Sequence, residues 1–222
     1  MESEGRVGPV NRNDGDVGLF REGPYGECVT SDFVGSFTEQ VARGNGYSFT
    51  TALAGNALIA ATTSNAPAIW NPPNSGRILS IQKVVFARTA KGTPLEGSIV
   101  YLRTQNVHSR KGTAADLVSG TEVAAVNLRS DMGDNSKMVF FPTTIVTTTT
   151  PTIWACSGIG QTADNGATTV SGPRAEYLTD HVNGLLVVGS GTLFSIGAAV
   201  SLSSTYTITI YGLSLPDPNF AF

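Results

Sequence analysis

The residue types that could do chemistry are few and scattered along this chain. His108 and His181 are the only histidines. A histidine-based zinc site needs clustered nitrogen, sulfur or carboxylate ligands. Only Asp180, beside His181, offers one at ligand spacing, so both imidazoles read as surface groups. A Ser-His-Asp arrangement is not ruled out by spacing, but the G-x-S-x-G elbow that would present a nucleophile is missing. The paired carboxylates Asp14/Asp16 and Asp131/Asp134 sit in Gly- and Asn-rich turns. A glycosidase pair would need its two acids on different strands of one concave face. An Asp in a turn more simply bonds its own backbone. Neither pair fits a D-x-[DN]-x-[DN]-G calcium loop. Gly189-Ser190-Gly191 lacks the third glycine and the helix of a phosphate cradle. Trp70 and Trp154 adjoin apolar strands and read as core or subunit-contact residues rather than sugar platforms. Cys28 and Cys156 have no metal-site partners; two reduced thiols are the expectation, with a disulfide the lesser alternative. The expectation is therefore no catalytic, cofactor-binding or metal-ligating residue, and no enzyme.

Composition sets what kind of protein this is instead. The 222 residues suit one domain of sandwich or barrel size with an appended arm. Charged residues make up only 14% against 41% hydrophobic, which argues against disorder and for a real core. Glycine and hydroxyl residues fill the polar positions, suggesting an exterior that faces other protein. The net charge of −3 and the lack of a basic stripe exclude nucleic acid as a partner, since His108-Ser109-Arg110-Lys111 is one short cluster. No apolar run reaches the ~18 residues of a membrane helix, and the first residues have no signal-peptide core. Synthesis and folding in a cytoplasm follow.

The elements that would position any site are strands. Ile69-Trp70 leads into the turn Asn71-Pro72-Pro73-Asn74-Ser75-Gly76 and then a strand of about ten residues. In it Leu79 and Ile81 alternate in one phase, Val84 and Phe86 in the other. One extra residue at Gln82-Lys83 would restore the register, so a bulge is predicted there. Further strands are expected at Tyr47–Leu53, Ala57–Thr63, Gly97–Arg103, Lys137–Phe141, Thr143–Thr150, Ile153–Ser157, Gly184–Val188, Phe194–Ala198 and Thr205–Tyr211. Thr121–Arg129 reads as extended rather than helical. Gly97–Arg103 is apolar in both phases, as for a strand covered on both faces. Ser36-x-x-Glu39 is a capping-box pattern and Gly44 a helix stop, giving one short helix near 37–43.

These elements predict an all-β fold, an antiparallel jelly-roll-like sandwich over residues 46–216, with no internal repeat. Irregular strand spacing favours a Greek-key jelly roll over an up-and-down barrel. Residues 1–45 form an extended N-terminal arm carrying the helix, and 217–222 a short tail. The arm is Gly-rich and charged, yet Val10, Val17, Leu19, Phe20 and Tyr25 are apolar anchors that a solubilising tail would lack. It reads either as disordered or as an arm that orders on a neighbouring subunit. The 104–120 and 158–172 stretches are long loops.

Three stretches together resemble a known group. They are I-W-N-P-P-N-S-G before a strand, S-G-T-E-V-A-A-V-N-L at Ser119–Leu128, and G-L-L-V-V-G-S-G-T-L-F-S-I with T-I-T-I-Y-G. This set is similar to the trimeric β-domain structural proteins of tailed bacteriophages, from Gly46 to Pro216. NPPNSG stands where N-P-x-G-S-G would be usual. The resemblance implies a homotrimer without catalysis and carries over no functional residue. It points to a virion location on the capsid exterior. There the protein would serve as a capsid decoration (cement) protein that bridges major capsid subunits through the N-terminal arm. A trimer would let Gly97–Arg103 bury its second face between subunits. Even a few hundred Å² of apolar arm contact at ~25 cal/mol per Å² would contribute several kcal/mol per copy, less the ordering cost. The alternative within the same group is a tail-fibre or head-fibre protein whose long loops bind a host receptor or surface glycan.

Overall fold

The computed structural model describes residues 35–61, 67–90, 98–105, 107, 118–119, 121–143, 146–147, 150–157, 177–202 and 205–217. Helix α1 (Gly35–Ala42) is followed by strands β1 (Gly46–Thr50), β2 (Asn56–Ala57), β3 (Ala68–Asn71), β4 (Arg77–Ala90) and β5 (Ile99–Thr104). Then come β6 (Val118–Ser119), β7 (Val126–Asn127), β8 (Val139–Phe141), β9 (Val146–Thr147) and β10 (Thr152–Ser157). Three long strands close the chain, β11 (Tyr177–Val188), β12 (Thr192–Ala198) and β13 (Thr205–Pro216).

Two antiparallel sheets carry the fold. The first runs β11-β4-β13-β1-β7, with β2 also on β13, and the second runs β10-β5-β12-β3-β8. No neighbours along either path are consecutive in the chain, which excludes an up-and-down arrangement. Apolar residues of both sheets meet in one core: Tyr47, Phe49, Leu79, Ile81, Ile208 and Ile210 from the first, Ile69, Tyr101, Phe140, Phe194 and Ile196 from the second. Phe49 packs edge-on against Phe140 across the gap, ring centres 5.7 Å apart. The protein is an all-β sandwich, with one short helix among the described residues.

The expected bulge lies where the phase of the sequence slips. Against β13, Lys83 pairs with Tyr211 and Ile81 with Gly212, leaving Gln82 as the extra residue. Leu79, Ile81, Val84 and Phe86 consequently all reach the core. On the other side β11 breaks at the same level, pairing His181 with Lys83 and Leu186 with Ile81. Residues 182–185 have no partner on β4, with Asn183 and Gly184 at φ 50° and 79°. Gln82 turns back to donate to Ser80 Oγ at 2.8 Å. Two more bulges carried no such sequence signal: Trp154 in β10 and Thr89 in β4 each lack an opposite residue.

The turn after β3 is built as its residues predict, with Asn74 and Gly76 at φ 59° and 69°. Buried Asn71 holds it, donating through Nδ2 to Arg77 O at 2.7 Å and to Val188 O at 3.1 Å. Gly191 N donates to Asn71 O and Asn74 N to Ser190 Oγ, so the β3–β4 and β11–β12 turns are tied together.

β5 is buried on both faces, as expected, but a neighbouring subunit is not needed for this. Val100 and Leu102, facing away from the main core, are buried within the single chain. Beside them the outer face of the second sheet carries its own cluster of Ala68, Trp70, Val107, Phe141 and Leu193. Trp70 Nε1 donates to Val107 O at 3.0 Å there.

Helix α1 begins one residue before the capping-box serine and ends as Gly44 predicts. Gly44 N donates to Val41 O and Asn45 N to Gln40 O, both at 2.9 Å, with Gly44 at φ 80°. This is the paired-bond stop that only a glycine adopts without strain. Several predicted strands are shorter than expected: Tyr47–Leu53 ends at Thr50, and the described part of Ala57–Thr63, residues 57–61, holds only the end of β2 and a bridge from Ala60 to Ala198. Of the segment 143–150 only 146–147 is described as strand. Residues 1–34, most of the 104–120 and 158–172 loops, and 218–222 lie outside the described residues.

Candidate functional site: an apolar edge beside the N-terminal helix

Of the sequence-predicted candidates, Asp134, Asp131, Asp180 and Trp154 have defined side-chain partners. Asp134 is a turn-former: its Oδ1 accepts from Ser136 N and Oγ at 2.9 and 2.7 Å, and its Oδ2 from Ala125 N at 3.1 Å. Asp131 instead makes a two-pronged pair with Arg129, Nε to Oδ1 at 2.7 Å and Nη2 to Oδ2 at 2.9 Å. That guanidinium holds the Asp131 carboxyl below its ordinary range, and the carboxylate raises Arg129 in turn. His181 is an exposed strand residue opposite Lys83. Its neighbour Asp180 points into the sandwich and accepts from Tyr101 OH at 2.7 Å. Cys156 is an exposed free thiol. Trp154 packs edge-on against Phe194, with the Arg103 guanidinium 5.5 Å from its ring centre. Gly189 and Gly191 form the turn into β12, where Thr192 N donates to Gly189 O. His108, Asp14, Asp16 and Cys28 lie outside the described residues. Among the described residues no group of three His, Cys, Asp or Glu could hold a metal ion.

What the structure does assemble is a surface. The segment 121–129 crosses from one sheet to the other along a single side of the sandwich. Val123 N bonds Phe140 O on β8, and Val126 and Asn127 pair with Ser48 and Tyr47 on β1. Along it the alternation is inverted relative to an ordinary half-buried strand. Ala125 and Asn127 point inward, while Val126 and Leu128 point to solvent, Val126 with 63% of its surface exposed. Val123 and Met132 are exposed on the same segment and the turn after it. A single exposed valine means little, but four large apolar side chains from one short stretch form a patch that water disfavours.

The patch is fastened rigidly to the helix. Asn127 Nδ2 donates to Gly44 O at 2.9 Å and to Gly133 O at 3.3 Å, and its Oδ1 accepts from Arg129 N. Arg129 Nη1 donates to Ala42 O, the last residue of α1, at 2.6 Å. A side chain at Gly46 would collide with Val41 of the helix and press on Leu128 of the patch, so these two lie side by side. A side chain at Gly44 would meet Met132. The helix stop, the inward asparagine and the arginine fork therefore hold Val41, Leu128 and Met132 together, at the point where the N-terminal segment joins the sandwich. Sequence reasoning read Thr121–Arg129 as extended but missed its facing. Valine, alanine and leucine occupy both phases there, and only Asn127, bonded to Gly44, says which phase is in.

No protein-family model, curated protein or solved structure matches this chain.

Proposed function

We propose that the chain is a virion structural protein of a tailed bacteriophage. In this reading it is a capsid decoration protein that sits on the capsid exterior as a homotrimer and bridges major capsid subunits. The observation that carries this reading is the outward-facing Val123, Val126, Leu128 and Met132 patch, latched to the helix that residues 1–34 precede in the sequence. A rigid sandwich with an apolar contact surface at the root of a long N-terminal segment is suited to holding protein neighbours. The chain's repeated crossing between sheets supports a jelly-roll-like winding of that sandwich. Because β5 is already covered within one chain, contacts between copies fall to the patch and the arm.

Heating purified particles with and without the protein tests this. Particles lacking it should release their DNA at a lower temperature, and restoring wild-type protein but not a Val126→Asp/Leu128→Asp variant should recover the difference. Equal heat resistance in all samples would reject the role.

A further inference from the structure

We propose that in the isolated chain the Val123, Val126, Leu128 and Met132 patch is the seat of the chain's own N-terminal segment, with Val17, Leu19, Phe20 and Tyr25 as the side chains that cover it. This concerns the free protein and stands independently of the virion reading.

Three observations converge on that occupant. The segment enters the structure at Gly35, and α1 then carries the chain over eight residues to the patch, a distance of about 12 Å. Phe20 lies fifteen residues before Gly35, enough chain to span up to ~50 Å when extended. The patch is thus within easy reach. The segment also holds complementary chemistry. Val17-Gly18-Leu19-Phe20 and Tyr25 are grouped apolar residues in a stretch otherwise made of Gly, Asn and charged residues. A covalently attached segment, finally, has an effective concentration near the millimolar range. A second copy at micromolar concentration competes poorly with it. The rigid latch through Asn127 and Arg129 means that the patch is preformed, so only the segment has to be ordered.

Amide hydrogen exchange on the full-length chain decides it. Backbone amides within 17–25 should exchange at least ~10-fold more slowly than their intrinsic rates. That protection should be independent of protein concentration and should vanish in Val126→Asp/Leu128→Asp. Leu53→Asp, at a residue 86% exposed on the loop after β1, should leave it unchanged. Should the double Asp variant disturb folding, Val126→Ser/Leu128→Ser gives the same reading with a milder change. Intrinsic-rate exchange at 17–25 in the wild type would overturn the proposal. So would protection untouched by the patch variants, and protection that grows with protein concentration would assign the seat to a second copy instead.

Discussion

Asn71 shows how one side chain can hold two turns. Its amide satisfies carbonyls from Arg77 and Val188, which are distant in sequence, at a position with no solvent exposure. Replacing it by alanine removes this donor from the buried Val188 carbonyl, while Arg77 O keeps Ser75 Oγ at 3.1 Å; a buried unpaired polar group costs about 1–3 kcal/mol. Asn71→Ala should therefore lower unfolding stability by about 1–3 kcal/mol in urea, with an unchanged denaturant slope. A loss under about 0.5 kcal/mol would mean that the turns are held by their backbone bonds alone. Asp131 gives a pH-dependent counterpart. Its native pKa is lowered by the Arg129 fork, so the native state favours the ionised form more than the unfolded chain does. Stability from the pair is present above the ordinary aspartate range and is lost as pH falls through the lowered native value. The stability gap between wild type and Asp131→Asn should accordingly be open at neutral pH and close in acid. Both groups are solvent-exposed, so that gap is small.

Among the elements, strand β4 explains why part of the fold was readable from sequence. The phase slip between Ile81 and Val84 predicts a bulge, and Gln82 is unpaired against both flanking strands. Deleting Gln82 would drive Leu79 and Ile81 to the solvent face, because a one-residue shift reverses every side chain. The deletion variant should lose cooperative thermal unfolding, while Gln82→Ala should keep it; a cooperative transition in the deletion variant would show that the unpaired stretch 182–185 of β11 absorbs the shift. The first half of β11 was not readable for the opposite reason. Leu178, Asp180 and Val182 share the inward face, but a carboxylate in that series breaks the apolar alternation. Its partner Tyr101 is 79 residues away, a separation that local pattern does not report. Trp154 likewise gave no hint of a bulge, since its neighbours Ile153 and Ala155 are apolar as well. The candidate surface was half-legible: the extended path of Thr121–Arg129 was, its inside-out facing was not. That facing depends on Asn127 reaching Gly44, a contact between segments far apart in the chain.

Among the described residues, the sandwich closes its own core and leaves an apolar patch beside helix α1. On the proposed reading, that patch serves contact with neighbours in an assembled particle. Counting copies in purified virions, by quantitative mass spectrometry against the major capsid protein, tests that most directly. A capsid decoration protein is expected at a fixed ratio corresponding to many copies distributed over the shell; absence from the particle, or only a handful of copies confined to the tail, would refute the role.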